Sequence, residues 1–379
     1  MKNKRIIIAN FSLCQKSGSE LYTFELASFL ISLGYEVALF CFLPGSISEQ
    51  ARALGATIFT YHDQYAIEAF QPDIVHVHHL PCLYFLAGLK LNGCFIHSIL
   101  GPSSPFEATP KLVGIDQLLV VSNELKAIAK KVSQETTPIH LFPNWFDDRK
   151  FAIHNNEKKL HSQHTTLKKI AVITNHLDPY LKEYLTRLSK LDPGFTWKHF
   201  GMPNNSVDIS TKLLMPFDAI ITIGRTVLVA AAIMKPVFIF DIHGCDGWLT
   251  ENNFDTIAHS NFSGRAYRIK PSFEEWQELF FKKNITVNLK AIALKVQNNY
   301  ALSNRIIQLT ELYDSCEKPT PHIITARINA YKIEGQAFAE MGRAMTAPCA
   351  SNTDKKIKSS RARIIWEILK GDRTCSSPE

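Results

Sequence analysis

Short apolar runs alternate with helical periodicities along most of the chain. Arg5 to Phe11, Glu36 to Phe42, Asp73 to Val77, Cys94 to Leu100, Gln117 to Val121 and Ile139 to Phe142 are apolar nearly throughout rather than at every second position, as in strands buried on both faces. Between them stand segments with the three-to-four-residue step of a helix. In Ser19 to Leu33, Leu21, Phe24, Ser28 and Ile31 fall on one stripe, and Gly34 supplies a C-terminal stop. Strand then helix, repeated, predicts an α/β fold with a parallel sheet covered on both faces.

The pattern lapses over Asp147 to Lys168, a polar stretch rich in Asn, His, Lys and Ser that predicts a linker. It resumes with Lys169 to Thr174, a helix about Tyr180 to Leu191, Phe195 to Phe200, Asp218 to Thr222, a helix from Arg225 to Met234, and Pro236 to Phe240. A long helical stretch, Phe273 to Asp314, closes this half. Two such lobes predict a ligand in the cleft between them. Past Pro319 and Pro321, Ile324, Ile328, Tyr331, Gly335, Phe338 and Met341 share one helical face. A basic stretch, Lys355 to Lys358, and a last helix candidate, Arg361 to Lys370, follow. That helix would dock on the body, the plainer expectation, or on anionic lipid. The expected domains are residues 1–160, residues 168–315 and a basic helical tail over 318–379.

Composition narrows the class. With 379 residues, 46% hydrophobic and 20% charged, the chain is globular and of about two domains, which excludes disorder and a small disulfide scaffold. No apolar run reaches the roughly 18 residues of a membrane-spanning helix. The opening Met1 to Ala9 reads as a buried strand rather than a signal peptide. Eight cysteines form no C-x-x-C pair and have no histidine at zinc spacing, so a reducing cytoplasm and no metal are expected. Of the net charge of +7, residues 318–379 carry +5, eleven Lys/Arg against six Asp/Glu. The body is therefore no nucleic-acid surface on charge grounds.

Candidate chemistry gathers at strand ends. The loop Ser17-Gly18-Ser19-Glu20 leads straight into a helix, where backbone amides attract an anion and Gly18 allows close approach; an ordinary N-cap explains the loop equally well. Ile223-Gly224-Arg225-Thr226 opens a helix after a buried strand and offers amides, a guanidinium and a hydroxyl where a diphosphate is best held. Pairing of Arg225 with a surface carboxylate is the weaker reading. His243-Gly244-Cys245-Asp246-Gly247-Trp248 reads as a tight loop in which Asp246 binds ligand hydroxyls or satisfies its own turn. Asn261-Phe-Ser-Gly-Arg265 adds another cation. His76, His78 and His79 end a strand; His78 or His79 suits a hydrogen-bonding role better than a metal, and His76 a structural one.

These segments together resemble the family 4 glycosyltransferases of the GT-B fold, over about residues 5–315. The resemblance is carried by Gly18-Ser-Glu20, Glu25 to Val37, Pro72-Asp-Ile-Val-His-Val-His78, Val120-Val-Ser-Asn123, Phe142-Pro-Asn-Trp-Phe-Asp147 and Ala230 to Val237. The Gly244 to Trp248 and Asn261 to Arg265 segments resemble a bacterial subset. The resemblance implies two Rossmann-like doubly wound domains facing a cleft, with the nucleotide-sugar donor, UDP or GDP type, on the second and an acceptor saccharide, lipid-linked saccharide or other glycoconjugate on the first. It also implies a retaining, metal-independent hexosyltransferase of cell-envelope polysaccharide synthesis, cytoplasmic or peripheral at the inner membrane face. Gly224, Arg225 and Thr226 would face the diphosphate, Gly18 the donor near its phosphates, and His78 or His79 the sugar or acceptor; Gly244, Asp246 and Arg265 complete the expected donor site. Glu107 is a candidate acceptor contact.

The chain departs from the family pattern in three places. The usual Glu-x7-Glu pair aligns with Ile221 and Val229, an Arg-x4-Lys pair with Thr174-Asn-His-Leu-Asp178, and a His-Gly with Leu100-Gly101. Loss of a ribose carboxylate removes a charge-assisted hydrogen bond worth roughly 1.5 to 3 kcal/mol. That motivates an alternative, a catalytically inactive paralogue acting as a binding or scaffold protein. Such a paralogue would reach a partner through the Ile324 to Met341 face or self-associate through the tail. A sugar-nucleotide epimerase would need an acid/base set that the sequence does not offer.

Overall fold

The computed structural model describes residues 4–14, 16, 18–102, 105–108, 113–132, 137–151, 167–201, 207–281 and 287–346. The chain divides into two compact units: residues 1–121, 125–141 and 310–379 form the first, and residues 122–124 and 142–309 the second. The Lys355 to Lys358 stretch, the Arg361 to Lys370 helix candidate and most of the expected linker lie outside the described residues.

Seven strands build the first unit: β1 (Arg5–Ala9), β2 (Glu36–Phe40), β3 (Thr57–Phe59), β4 (Ile74–Val77), β5 (Cys94–Ile99), β6 (Gln117–Val120) and β7 (Ile139–Leu141). They lie in the order β3-β2-β1-β4-β5-β6-β7, every neighbouring pair parallel. Central strands buried at every residue, such as Ile74–Val77 and Cys94–Ile99, explain the unbroken apolar runs. The chain leaves β1 toward β2 and β3, then returns to place β4 on the other side of β1. Two loops therefore diverge at the carboxyl ends of β1 and β4 and leave a crevice.

The second unit holds β8 (Lys169–Ile173), β9 (Thr196–Phe200), β10 (Ala219–Thr222), β11 (Val237–Asp241) and β12 (Gly244–Trp248), ordered β12-β11-β10-β8-β9. Its switch point lies between β8 and β10. The first four strands are parallel, but β12 runs antiparallel to β11 at the sheet edge. Gly244 to Trp248, expected to be a tight loop, is thus a strand. Only two residues separate it from β11, and a five-residue strand holding two glycines and an aspartate carries no apolar run to mark it.

Two helical expectations need correction. In the helix Gly18–Ser32 the buried face is Tyr22, Thr23, Leu26, Ala27 and Leu30, whereas Leu21, Phe24, Ser28 and Ile31 are only half-buried. Thr23 and Glu25 turn a polar edge of this helix into the protein, so apolarity does not mark its inner face. The single stretch expected over Phe273 to Asp314 is three helices, Phe273–Phe280, Leu289–Tyr300 and Leu302–Ser315. Ala301 is extended between the last two and bridges Phe146, which breaks the helix.

The C-terminal helix Pro321–Thr346 belongs to the first unit and packs on the helix Leu80–Ala87. Tyr331, Phe338, Ala339 and Met341 enter the core that holds Phe40, Phe42 and Phe85. Tyr84 stacks on Tyr331 and Phe338, and a Cβ at Gly335 would meet the Tyr84 carbonyl oxygen at 2.8 Å, so glycine sets this close approach. The face from Ile324 to Met341 is covered by the chain itself and is not a surface for another protein.

Candidate functional site

The crevice between β1 and β4 collects the polar side chains of the first unit. Asn10 ends β1, its Nδ2 donates to the Thr23 hydroxyl (3.0 Å), and that oxygen lies 2.9 Å from His78 Nδ1. His78 is fully buried, edge-on to Tyr22 and His76, with no partner for Nε2. Burial, aided by the neighbouring imidazoles, holds it well below the ordinary histidine pKa, so it is neutral. Both nitrogens of His76 are satisfied, at 2.6 Å by the Tyr313 hydroxyl and at 2.6 Å by Ser98 Oγ, which fits a structural residue.

His79 stands at the crevice surface. The Phe11 amide donates to its Nδ1 (3.1 Å), which leaves its proton on Nε2, 3.5 Å from Glu107 Oε1. Glu107 lies against Gly101, where a Cβ would meet its Oε2 at 2.7 Å, so a larger residue there would shift the carboxylate. Ser19 Oγ donates to Glu20 Oε2 (3.0 Å), and burial raises the Glu20 carboxyl above its ordinary pKa against the pull of its own backbone and Ser19. Of the two histidines expected to face a ligand, then, His79 keeps a small accessible surface and His78 is enclosed. Gly18 is exposed, and a Cβ there would meet nothing within 4 Å, so packing imposes no glycine at that position. Asn10, Thr23 and Glu20 were not singled out from sequence. Only Glu20, the last residue of the Ser17-Gly18-Ser19-Glu20 segment, carried a signal.

In the second unit the helix Arg225–Ala232 starts at the β8/β10 switch point. Gly224 turns with φ +60°, a conformation that favours glycine. Its amide is already taken by the Phe262 carbonyl (2.7 Å), so the anion cradle expected here loses one donor. Arg225 Nε donates to the Trp145 carbonyl (3.0 Å), which anchors its side chain to the backbone. Thr226 is half-buried in the first helical turn, where the helix itself supplies no acceptor for its amide.

The remaining expected donor residues hold the protein together. A Cβ at Gly244, φ +146°, would meet the Gly264 carbonyl oxygen at 2.6 Å. Asp246 accepts from the Tyr267 amide (2.9 Å) and the Ala266 amide (3.4 Å), and Arg265 forks onto Glu124 with a shortest contact of 2.6 Å, both within the second unit. Ile221 and Val229 are buried in the core. Where the family pattern has an Arg-x4-Lys pair, Asp178 caps the helix Pro179–Leu191 through the Leu181 amide (2.9 Å). Asp241 lies nearby, its carboxyl raised by burial and also by Asp178. Among the described residues, no three His, Cys, Asp or Glu side chains come together as metal ligands.

Residues 16–150 match the model of Glycosyltransferase Family 4. No curated protein matches the chain. A solved glycosyltransferase from Rickettsia africae is similar with a TM-score of 0.55 at 18% identity, over 83% of this chain and 98% of that one. Anabaena HepE in complex with UDP and glucose gives 0.59 at 12%, over 83% and 100%. Sucrose-phosphate synthase from Thermosynechococcus elongatus gives 0.51 at 13%, over 82% and 98%. These likenesses show the fold, GT-B: two Rossmann-like units with C-terminal helices. No described helix is long and apolar enough to cross a membrane.

Proposed function

We propose that this chain, whose residues 16–150 belong to glycosyltransferase family 4, moves a hexose from a nucleoside-diphosphate donor to an acceptor hydroxyl of a glycan or lipid-linked saccharide, without a metal and with retention. The observation that carries this reading is the helix start Gly224-Arg225-Thr226 at a topological switch point, where a helix dipole, a guanidinium and a hydroxyl stabilise a departing diphosphate. In the first unit, the Nε2 proton of His79 and the carboxyls of Glu107 and Glu20 suit the hydroxyls of an acceptor sugar. UDP is the first donor to try, since the HepE structure holds UDP and glucose. A role in envelope polysaccharide synthesis, at or near the inner membrane face, follows from the same reading.

A second reading, a binding or scaffold protein without turnover, is favoured by one observation. Thr174 to Asp178 stands where the family pattern has a pair of cations, with the Asp241 carboxyl nearby, and Ile221 and Val229 leave no ribose carboxylate. Calorimetric titration with UDP, GDP and their sugar conjugates separates the two. The catalytic reading expects saturable binding of one nucleotide, weakened about 10-fold or more in Arg225→Ala by loss of a charge-assisted bond, together with donor hydrolysis or transfer. Binding without turnover supports the scaffold. Absence of any binding by a folded protein overturns the donor site.

A further inference from the structure

The helix start at Gly224 and Arg225 is held from two sides by groups of the second unit. On one side stands Phe142 to Asp147, where the Trp145 carbonyl accepts from Arg225 Nε (3.0 Å). On the other stands the turn after the helix Phe254–His259, where the Phe262 carbonyl accepts from the Gly224 amide (2.7 Å). One side-chain bond joins the two: Asn144 Nδ2 donates to Asn261 Oδ1 (3.0 Å), and both residues are half-buried. The turn itself is strained. Asn261 and Phe262 follow each other with φ +59° and +54°, and neither is glycine. Closing a helix takes a single residue in that conformation. Here the Asn261 amide returns to the Ala258 carbonyl (2.9 Å) and the Phe262 amide to the Ile257 carbonyl (3.1 Å), and the second left-handed residue carries the chain to where the Phe262 carbonyl meets Gly224. The Phe262 ring is 1% exposed and edge-on to Phe254 and Tyr300, so packing keeps the unfavourable turn in place.

We propose that Asn144 and Asn261 are positioning residues for a bound diphosphate. Their amide pair locks the strained turn to the segment that anchors the Arg225 guanidinium, so that cation and helix start keep one geometry toward the leaving group. The proposal rests on the donor site assigned above to Gly224, Arg225 and Thr226, and both asparagines act through Arg225 rather than on the donor. An anion gains most from donors already in place, because a guanidinium ordered only on binding loses part of the interaction to its own conformational entropy. A bond that merely stabilised the second unit would behave differently, and Asn261→Gly separates the two roles. Glycine takes up φ +59° without strain, so this variant keeps or raises the stability of the unit while it removes the partner of Asn144.

The test is calorimetric titration of the full-length chain with UDP and GDP, with urea unfolding read by tryptophan fluorescence as the control for folding. Asn144→Ala and Asn261→Gly each weaken binding of the nucleotide that wild type takes by about 3- to 10-fold, the scale of one neutral hydrogen bond, and the double variant goes no further. Added to Arg225→Ala, Asn144→Ala changes affinity by less than about 2-fold, because a residue that acts through Arg225 then has nothing left to position. Asn261→Gly unfolds at no lower urea than wild type. If it proves less stable, Asn144→Ala with and without Arg225 decides the matter. Affinity that falls in Arg225→Ala but stays within about 2-fold of wild type in Asn144→Ala and Asn261→Gly overturns the proposal and leaves the donor site standing. A loss in Asn144→Ala that repeats in full on Arg225→Ala also overturns it, since the bond then acts independently of Arg225. If folded wild type binds neither nucleotide, the donor site and the proposal fall together.

Discussion

Lowering the pH from 8 to 5 removes about 2 kcal/mol from the stability of the first unit for each of three buried histidines. His76, His78 and His97 are fully buried. Burial pulls His76 down to about 3, His97 to about 4 and His78 well below its ordinary value, with charge repulsion from neighbouring imidazoles adding to each. The unfolded chain takes up a proton at each site below about 6.5, whereas the folded chain does not until near the depressed value, so stability falls as pH falls across that window. Raised carboxyls such as Glu20 and Asp116 act with the opposite sign, becoming more favourable to folding as pH falls. A difference measurement cancels them. His97 is the residue to change, because its ring makes no well-formed hydrogen bond, only weak contacts with the Val77 and Ala108 backbone that oppose the downward shift, so His97→Leu strands little. The described tryptophans, Trp145, Trp197, Trp248 and Trp276, all lie in the second unit, so their fluorescence does not report on β5. Native-state hydrogen exchange of the β5 amides, corrected for intrinsic rates, does. The stability of His97→Leu relative to wild type rises by about 2 kcal/mol between pH 8 and pH 5. A difference that stays constant within about 0.5 kcal/mol refutes the assignment of a neutral, buried His97.

Other substitutions probe single contacts. Tyr313→Phe strips the buried Nδ1 of His76 of its partner and costs about 1 to 3 kcal/mol by the same exchange measurement. Gly244→Ala forces a Cβ onto the Gly264 carbonyl at an unfavourable φ and destabilises the second unit by about 2 to 4 kcal/mol, read by urea unfolding through tryptophan fluorescence. Arg327→Met costs less than about 1 kcal/mol, because the buried guanidinium over Phe95 leaves Nε and Nη1 without partners; a loss of 3 kcal/mol or so in thermal unfolding contradicts that reasoning.

What the sequence disclosed follows from where the physics is local. Central strands such as Ile74–Val77 announce themselves because burial on both faces demands apolar residues at every position. The three-residue β3 and the edge strand β12 do not, since short strands with one open side carry little pattern. His79 was legible because it ends a strand. That His78 is fully enclosed while His79 keeps a small accessible surface depends on Tyr22 and Thr23 from another element, and nothing in the string Val-His-Val-His-His encodes it. Gly244 and Asp246 looked like ligand-binding residues because a close backbone approach and a nucleotide place similar demands on a glycine and an acid. Here the neighbour is the loop at Gly264 to Tyr267.

The helix Pro321–Thr346 is the last described element of the chain, yet it completes the core of the unit that begins the chain. On the ribosome, residues 1–141 emerge without it, and at typical elongation rates roughly 10 to 40 s pass before Met341 follows. Until then the groove beside Phe85 stands open, and the later, nearly contiguous second unit is fully synthesised before the earlier one can close. Nascent chains of this protein therefore expose apolar surface of the first unit through that interval, and a stop codon anywhere between 318 and 340 releases a chain whose defect lies in its oldest residues.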